Sequence, residues 1–127
     1  MVVMIVDNNL EEIRITSEAV LKAYPTCEFI FAYDGLTARR YASTREINLT
    51  LVEIILPGES GYRLIRSLKT IAPQMNIAIL TRSMFGVDCG LGEKMGSDDI
   101  FIKSTKPGNG IDLYQYLKKI EKNITHV

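Results

Sequence analysis

Residues 49–61 read Leu49-Thr50-Leu51-Val52-Glu53-Ile54-Ile55-Leu56-Pro57-Gly58-Glu59-Ser60-Gly61. The run opens on apolar and β-branched residues without a helical period and closes in a turn built on Pro57, Gly58 and Gly61. This is the pattern of a buried strand that ends at a loop. Glu53 stands inside it. An unpaired buried charge is costly, so a carboxylate in such a run belongs at the strand's end, in a polar pocket with a cation or hydrogen-bond donor to meet it. Glu53 therefore marks a candidate site.

Outward from this stretch, five short apolar runs alternate with four or five amphipathic segments and no linker-like composition divides them. The pattern predicts one α/β domain over residues 1–127. Val2 to Val6 is apolar enough for a parallel strand covered on both faces, and it ends at Asp7. Asn9 is a helix N-cap with Glu12 three residues on, a capping-box spacing, and Leu10, Ile13, Val20, Leu21 and Tyr24 trace one helical face until Pro25. Glu28 to Ala32 is the second strand. Asp34-Gly35 then turns into a weaker helix with Ala38, Tyr41 and Ala42 on its inner face, and Leu49 to Ile54 is the third strand.

Leu64, Ile65, Leu68 and Ile71 recur at helical spacing up to Pro73, ahead of a fourth strand over Asn76 to Leu80 with Thr81 at its tip. By the alternation, Arg82 to Gly96 is a helix carrying Val87, Leu91 and Met95. Its Gly86, Gly90 and Gly92 each cost about 1 kcal/mol against alanine, so a short or loose helix is expected there. Ile100 to Ile102 forms the fifth strand and ends at Lys103. Asn109 caps a last helix that faces inward through Leu113, Leu117, Ile120 and Ile124, with Lys118, Lys119 and Lys122 near the end where they suit the helix dipole.

Composition narrows the function. Of the 127 residues, 46% are apolar, enough for an ordinary core, and 15 basic residues balance 15 acidic ones. Binding to nucleic acid or to an anionic membrane through bulk charge is therefore not expected. Cys27 and Cys89 lie apart without metal-ligand spacing, and His126 is the single histidine, which speaks against zinc or a disulfide. The apolar stretch after Met1 ends at Asp7, too short for a secretory or membrane-spanning segment, and the expected compartment is the reducing cytosol.

Right-handed crossovers favour strand order 2-1-3-4-5 for an open, doubly wound sheet of five parallel strands, which makes the first and third strands neighbours. Ligands bind outside the carboxyl ends of such strands, at the switch in strand order, and Asp7, Asn8, Glu53, Thr81 and Lys103 all fall at those ends. Two carboxylates, an amide, a hydroxyl and an ammonium suit a divalent cation and a phosphoryl group, whose transfer needs little beyond positioning and charge neutralisation. The same residues equally describe a Glu53–Lys103 ion pair that keeps the strand ends polar while Asp7 and Asn8 start a helix. Both readings stand on spacing alone. No Gly-rich phosphate loop follows the first strand, which sets aside a nucleotide-binding domain, and Asn9 occupies the position where an aspartyl-phosphate hydrolase has its second aspartate.

These residues carry a resemblance. Val6-Asp7-Asn8-Asn9, Ala32-Tyr33-Asp34-Gly35, Glu53 with Pro57 and Gly61, Leu80-Thr81, and Gly96-Ser97-Asp98-Asp99-Ile100-Phe101-Ile102-Lys103 fall in order and spacing like the motifs of the CheY-like receiver domains of two-component response regulators. The chain resembles that family nearly end to end. The resemblance implies a flavodoxin-like, three-layer fold and a signalling module rather than an enzyme. In the family an aspartate at the position of Glu53 accepts a phosphoryl group from a histidine kinase, and Mg²⁺ is held at the positions of Asp7, Asn8, Glu53 and the carbonyl of Ile55. Lys103 would contact the phosphoryl group, and Thr81 would follow it inward and remodel the face made by the fourth helix, fifth strand and fifth helix.

Four departures lie on that pathway. Glutamate's extra methylene displaces the carboxylate by more than about 1 Å, and misplacement on that scale costs about a hundredfold in rate, so normal phosphorylation is not expected. Asn8 removes one charge from the Mg²⁺ site, so metal binding is expected to be weak or absent. Ile100 stands where the family has its aromatic switch residue, and Phe101 faces the other side by strand alternation. Ser104 follows the lysine where the family has proline; Lys106-Pro107 would be the alternative lysine–proline pair but lies well past the apolar strand. An atypical pseudo-receiver follows, in which Glu53 pairs with Lys103 directly or through one water. It would act by contact with a signalling partner, either a histidine kinase or an output protein or domain, and the alternative is a receiver still switched by phosphorylation with Mg²⁺. An output domain would need many tens of residues beyond Val127, and pairing of two copies through the face that includes the fourth helix is what the resemblance suggests.

Overall fold

In the computed structural model the described residues are 1–81, 96, 98–102 and 111–124. Five strands, β1 (Val2–Val6), β2 (Glu28–Ala32), β3 (Leu49–Val52), β6 (Asn76–Thr81) and β7 (Asp99–Ile102), form one sheet in the order β2-β1-β3-β6-β7. All four pairings in that sheet are parallel. Between β3 and the third helix a short antiparallel hairpin intervenes, β4 (Ile55–Leu56) with β5 (Glu59–Ser60). Leaving the hairpin aside, the order is the expected 2-1-3-4-5. The third strand stops at Val52, two residues before the expected end.

The helices are α1 (Leu10–Ala23), α2 (Gly35–Thr44), α3 (Gly61–Ile71) and a C-terminal helix, Ile111–Ile120, followed by a 3-10 turn over Glu121–Asn123. They lie on both faces because β1 and β3 are buried on both sides of the sheet, Thr50 being the one polar residue among them. Met4 and Val6 pack with Ala38, Ala42, Leu64, Ile65 and Leu68 beneath α2 and α3. Val3, Ile5, Leu49 and Leu51 pack on the other face with Ile13, Val20, Leu113 and Leu117 of α1 and the C-terminal helix. Each Val, Leu, Ile or Met side chain taken wholly out of water contributes roughly 1.5–3 kcal/mol. Tyr24 joins α1 to the C-terminal helix through its hydroxyl, which donates to Leu117 O at 2.5 Å, and burial pushes its phenol up.

Three residues expected on inner faces lie outside. Leu10 is 71% exposed, Leu21 49% and Ile71 38%. Thr16, Ala19 and Ala23 join Ile13 and Val20 on the buried face of α1, while Leu10 is its first residue and Ile71 the last of α3. The segment 82–95, with the expected loose helix, and the Asn109 cap lie outside the described residues.

Candidate functional site

The site starts from the register. Val6 is opposite Ala32 on one side and Val52 on the other, Val52 is opposite Ile79, and Thr81 is opposite Ile102. The residues that follow these strands therefore emerge at one edge. The Asp7 N–H donates to Ala32 O at 3.1 Å and the Glu53 N–H to Val6 O at 3.0 Å, so the ladder hands both acids over to the same rim.

Asp7 is buried, and its Oδ1 accepts the N–H of Asn9 at 3.0 Å. Asn9 in turn caps α1, its Oδ1 accepting from Glu12 N at 3.0 Å, as the sequence pattern requires. Asn8 is exposed. Glu53 points its Oε1 at Thr81, whose wholly buried hydroxyl donates to it at 3.1 Å, and the Ile55 N–H makes a longer approach of 3.4 Å to the same oxygen. Three of the expected residues, Asp7, Glu53 and Thr81, are thus brought to one edge, two of them in direct contact. Ile55 joins them through its N–H. Lys103, and with it the expected pairing to Glu53, lies outside the described residues, as does Ser104.

Phe101 packs on the α1 face, its ring stacked on Tyr116 at 4.8 Å between centroids, which is the side expected from strand alternation. Ile100 is the register partner of Ile79, a residue of the opposite face. Among the described residues, no three His, Cys, Asp or Glu side chains gather closely enough to hold a metal ion.

The loop after Glu53 is tightly made. Gly58 has φ of +78° behind Pro57, the conformation a two-residue turn of this kind needs from glycine. Gly61 donates its N–H to Ile54 O at 2.6 Å, and a Cβ there would lie 2.5 Å from Glu53 O and 2.7 Å from Ile54 Cα. Backbone approaches of that kind exclude any side chain. Ser60 caps α3 through its Oγ, which accepts from Tyr62 N at 3.1 Å. Sequence reading missed what fastens this hairpin to α2: Arg39 Nη1 and Nη2 donate to Glu59 Oε1 and Oε2, both at 2.7 Å. The hydrogen bonds from Arg39 hold the Glu59 carboxyl below its ordinary range. Asp34, which caps α2 by accepting from Thr37 N, is lowered chiefly by that bond.

Comparison with known proteins follows the same lines. The family model for the response regulator receiver domain matches residues 3–115. Over 105 residues the chain is 29% identical to the probable transcriptional regulatory protein SilR of Salmonella typhimurium, covering 81% of this chain and 44% of that protein. Over 78 residues it is 37% identical to the aerobic respiration control protein ArcA of Escherichia coli, covering 60% of this chain and 32% of that one. The chain therefore spans less than half the length of these relatives.

Among solved structures, a response regulator receiver domain from Rhodospirillum rubrum superposes with a TM-score of 0.83 at 18% identity, covering 100% of this chain and 96% of that one. The Mn²⁺-bound form of response regulator Rcp1 does so with 0.77 at 22% identity, over 95% and 91%. These likenesses speak for the fold. With the family model spanning most of the chain, this protein belongs to the response regulator receiver domain family, a signalling domain that is not itself an enzyme.

Proposed function

We propose that this receiver works as a one-state interaction module in two-component signalling, without normal aspartyl phosphorylation. The observation that carries the reading is the 3.1 Å hydrogen bond from Thr81 Oγ1 to Glu53 Oε1. In the family the switch hydroxyl moves toward a phosphoryl group on the acceptor. Here the glutamate carboxylate reaches that hydroxyl unmodified. A carboxylate brings one negative charge and two oxygens where a phosphoryl group brings close to two charges and three oxygens, so the imitation is partial. Ile100 supplies no ring for the aromatic half of the switch, which leaves the module in one state. Lys103 is taken as the cation that meets Glu53, directly or through one water.

The donor set supports weak or absent Mg²⁺ binding. Asn8 is neutral, Asp7 Oδ1 is engaged by Asn9 N–H, and Glu53 Oε1 is engaged by Thr81. Mg²⁺ dehydrates reluctantly and rewards free carboxylate oxygens and phosphate, so this edge attracts it less than a pair of aspartates would. The partner of such a module is a signalling protein, a histidine kinase or an output protein or domain met in the cytosol. The balanced charge favours neither nucleic acid nor a membrane surface for this domain, and pairing of two copies stays within the proposal.

The test is mass spectrometry after incubation with a small phosphodonor and Mg²⁺, on the unmodified protein and on Glu53→Asp combined with Asn8→Asp. The reading expects the double variant alone to gain a phosphoryl group and to bind Mg²⁺ appreciably. Phosphoryl uptake on Glu53 in the unmodified protein, or Mg²⁺ binding equal to that of the double variant, replaces it with the phosphorylation-switched reading.

A further inference from the structure

We propose that Arg39, on the second helix and remote in sequence from the acceptor, is a positioning residue for Glu53, acting through Glu59 and the hairpin between them. The two guanidinium nitrogens and two carboxylate oxygens meet in a fork, with both bonds at 2.7 Å. The side chains are only 29% and 15% exposed. Such bidentate geometry is the case in which an ion pair fixes orientation, whereas ordinary surface pairs contribute little. The pair fits because Gly35 leaves a notch. A Cβ at Gly35 would lie 1.7 Å from Glu59 Oε1 and 2.9 Å from Arg39 Nη1, so the carboxylate occupies the space a side chain would take. Arg63 also attracts Glu59, and Asp34 opposes it.

From Glu59 the path to the acceptor is short. Glu59 pairs with Leu56 and Ser60 with Ile55 across the hairpin. The hairpin's neck is closed by Gly61 N–H on Ile54 O, with the Glu53 carbonyl directly against Gly61. Ile55 presents its N–H to the Glu53 carboxylate. Arg39 therefore grips the far side of a closed ring whose near side carries the acceptor. Release of Glu59 frees the ring to tilt, and both the Ile55 N–H and the carboxylate move with it.

The test uses the whole chain with Arg39→Met, the near-isosteric Glu59→Gln, and the two combined, each followed by NMR. The proposal expects the Ile55 amide and the Glu53 side-chain carboxyl carbon to shift in both single variants, and amide exchange at Gly61 to quicken by about tenfold, the scale of one net hydrogen bond. The double variant adds nothing further, Arg39→Lys restores the signals in part, and Arg14→Met, which removes two exposed ion pairs on α1, leaves them unchanged. If Arg39→Met and Glu59→Gln lower the thermal midpoint while these three signals keep their unmodified values, Arg39 is a structural tie only and the proposal is overturned. The same follows if the effects of the two substitutions simply add. Neither outcome depends on whether Glu53 is ever phosphorylated.

Discussion

The two edges of the sheet use similar residues to different ends. At the amino edge Asn48 Oδ1 accepts Val2 N–H at 2.7 Å, and Asp98 Oδ2 accepts Ile77 N–H at 2.7 Å. Lys69 adds an ion pair to Asp98 at 2.9 Å and donates to Met75 O at 2.7 Å. These bonds are short and most of them end on backbone, completing the first rungs of the ladder. At the carboxyl edge Glu53 is held by a side-chain hydroxyl at 3.1 Å and a longer backbone approach. A carboxylate seated on backbone amides belongs to the architecture and moves only if the strands move. One seated on a hydroxyl is tied instead to a side chain of the neighbouring strand. The amino edge closes the fold by completing the ladder, whereas at the carboxyl edge two side chains from neighbouring strands meet each other.

Substitutions sharpen that contrast. Gly61→Ala is the most damaging, because the new methyl meets backbone at Glu53 and Ile54 that has no room to withdraw. Overpacking of this kind costs about 3 kcal/mol, read as a lower urea midpoint, with the Glu53 and Thr81 resonances displaced. Asp98→Ala strips the amino edge of a charged acceptor, and with that side chain 44% exposed a loss of about 1.5 kcal/mol is expected. The carboxyl-edge resonances should stay in place. If they move, the two edges are coupled and the contrast fails.

Thr81→Val keeps the shape of a wholly buried residue and deletes the hydroxyl that meets Glu53. It is expected to cost about 1 kcal/mol in denaturant unfolding and to shift the Glu53 carboxyl carbon by NMR, the reverse of the Asp98 pattern. Acid gives the smallest effect. Arg39 holds the Glu59 carboxyl below its ordinary 4.5, so the contribution of that pair is complete above this pH and fades as the pH falls through the lowered value. Comparison of the thermal midpoint of the unmodified protein with that of Glu59→Gln should show the difference shrinking in that acid window. A constant difference would mean that the pair does not titrate with the hairpin.

Much of this was legible in the sequence because the signals were local. Val2 to Val6 is a central parallel strand, and such a strand must be apolar on both faces, so periodicity could not mislead. Asn9 announced its helix through capping chemistry and Asp34-Gly35 marked the turn into the next, and Asp7, Glu53 and Thr81 fell at strand ends that topology alone brings together. Failure came where burial depends on where a helix stops relative to the sheet. Leu10, Leu21 and Ile71 are as apolar as the core and sit near helix ends, whereas Thr16, Ala19 and Ala23 hold the inner face with little hydrophobic signal of their own. The Arg39–Glu59 clasp joins residues 20 positions apart through a space left by Gly35, and no periodic pattern records such a pair. A glycine opening a helix beside a charged hairpin residue was the one available hint.

The position of β1 inside the sheet, between β2 and β3, has a consequence for how the chain assembles during synthesis. β1 pairs first with β2 and then with β3, and β6 and β7 follow in chain order on the free side of β3. After β3 is in place, every strand of the main sheet is added to an edge already built, and none has to be inserted between two that are paired. Growth outward from one end of the polypeptide keeps the loops to be closed short, so the exposed strand edge passes quickly from one emerging segment to the next. The carboxyl-edge site is finished late by the same logic: Asp7 and Glu53 are side by side once β3 has docked, and Thr81 reaches Glu53 only when β6 arrives.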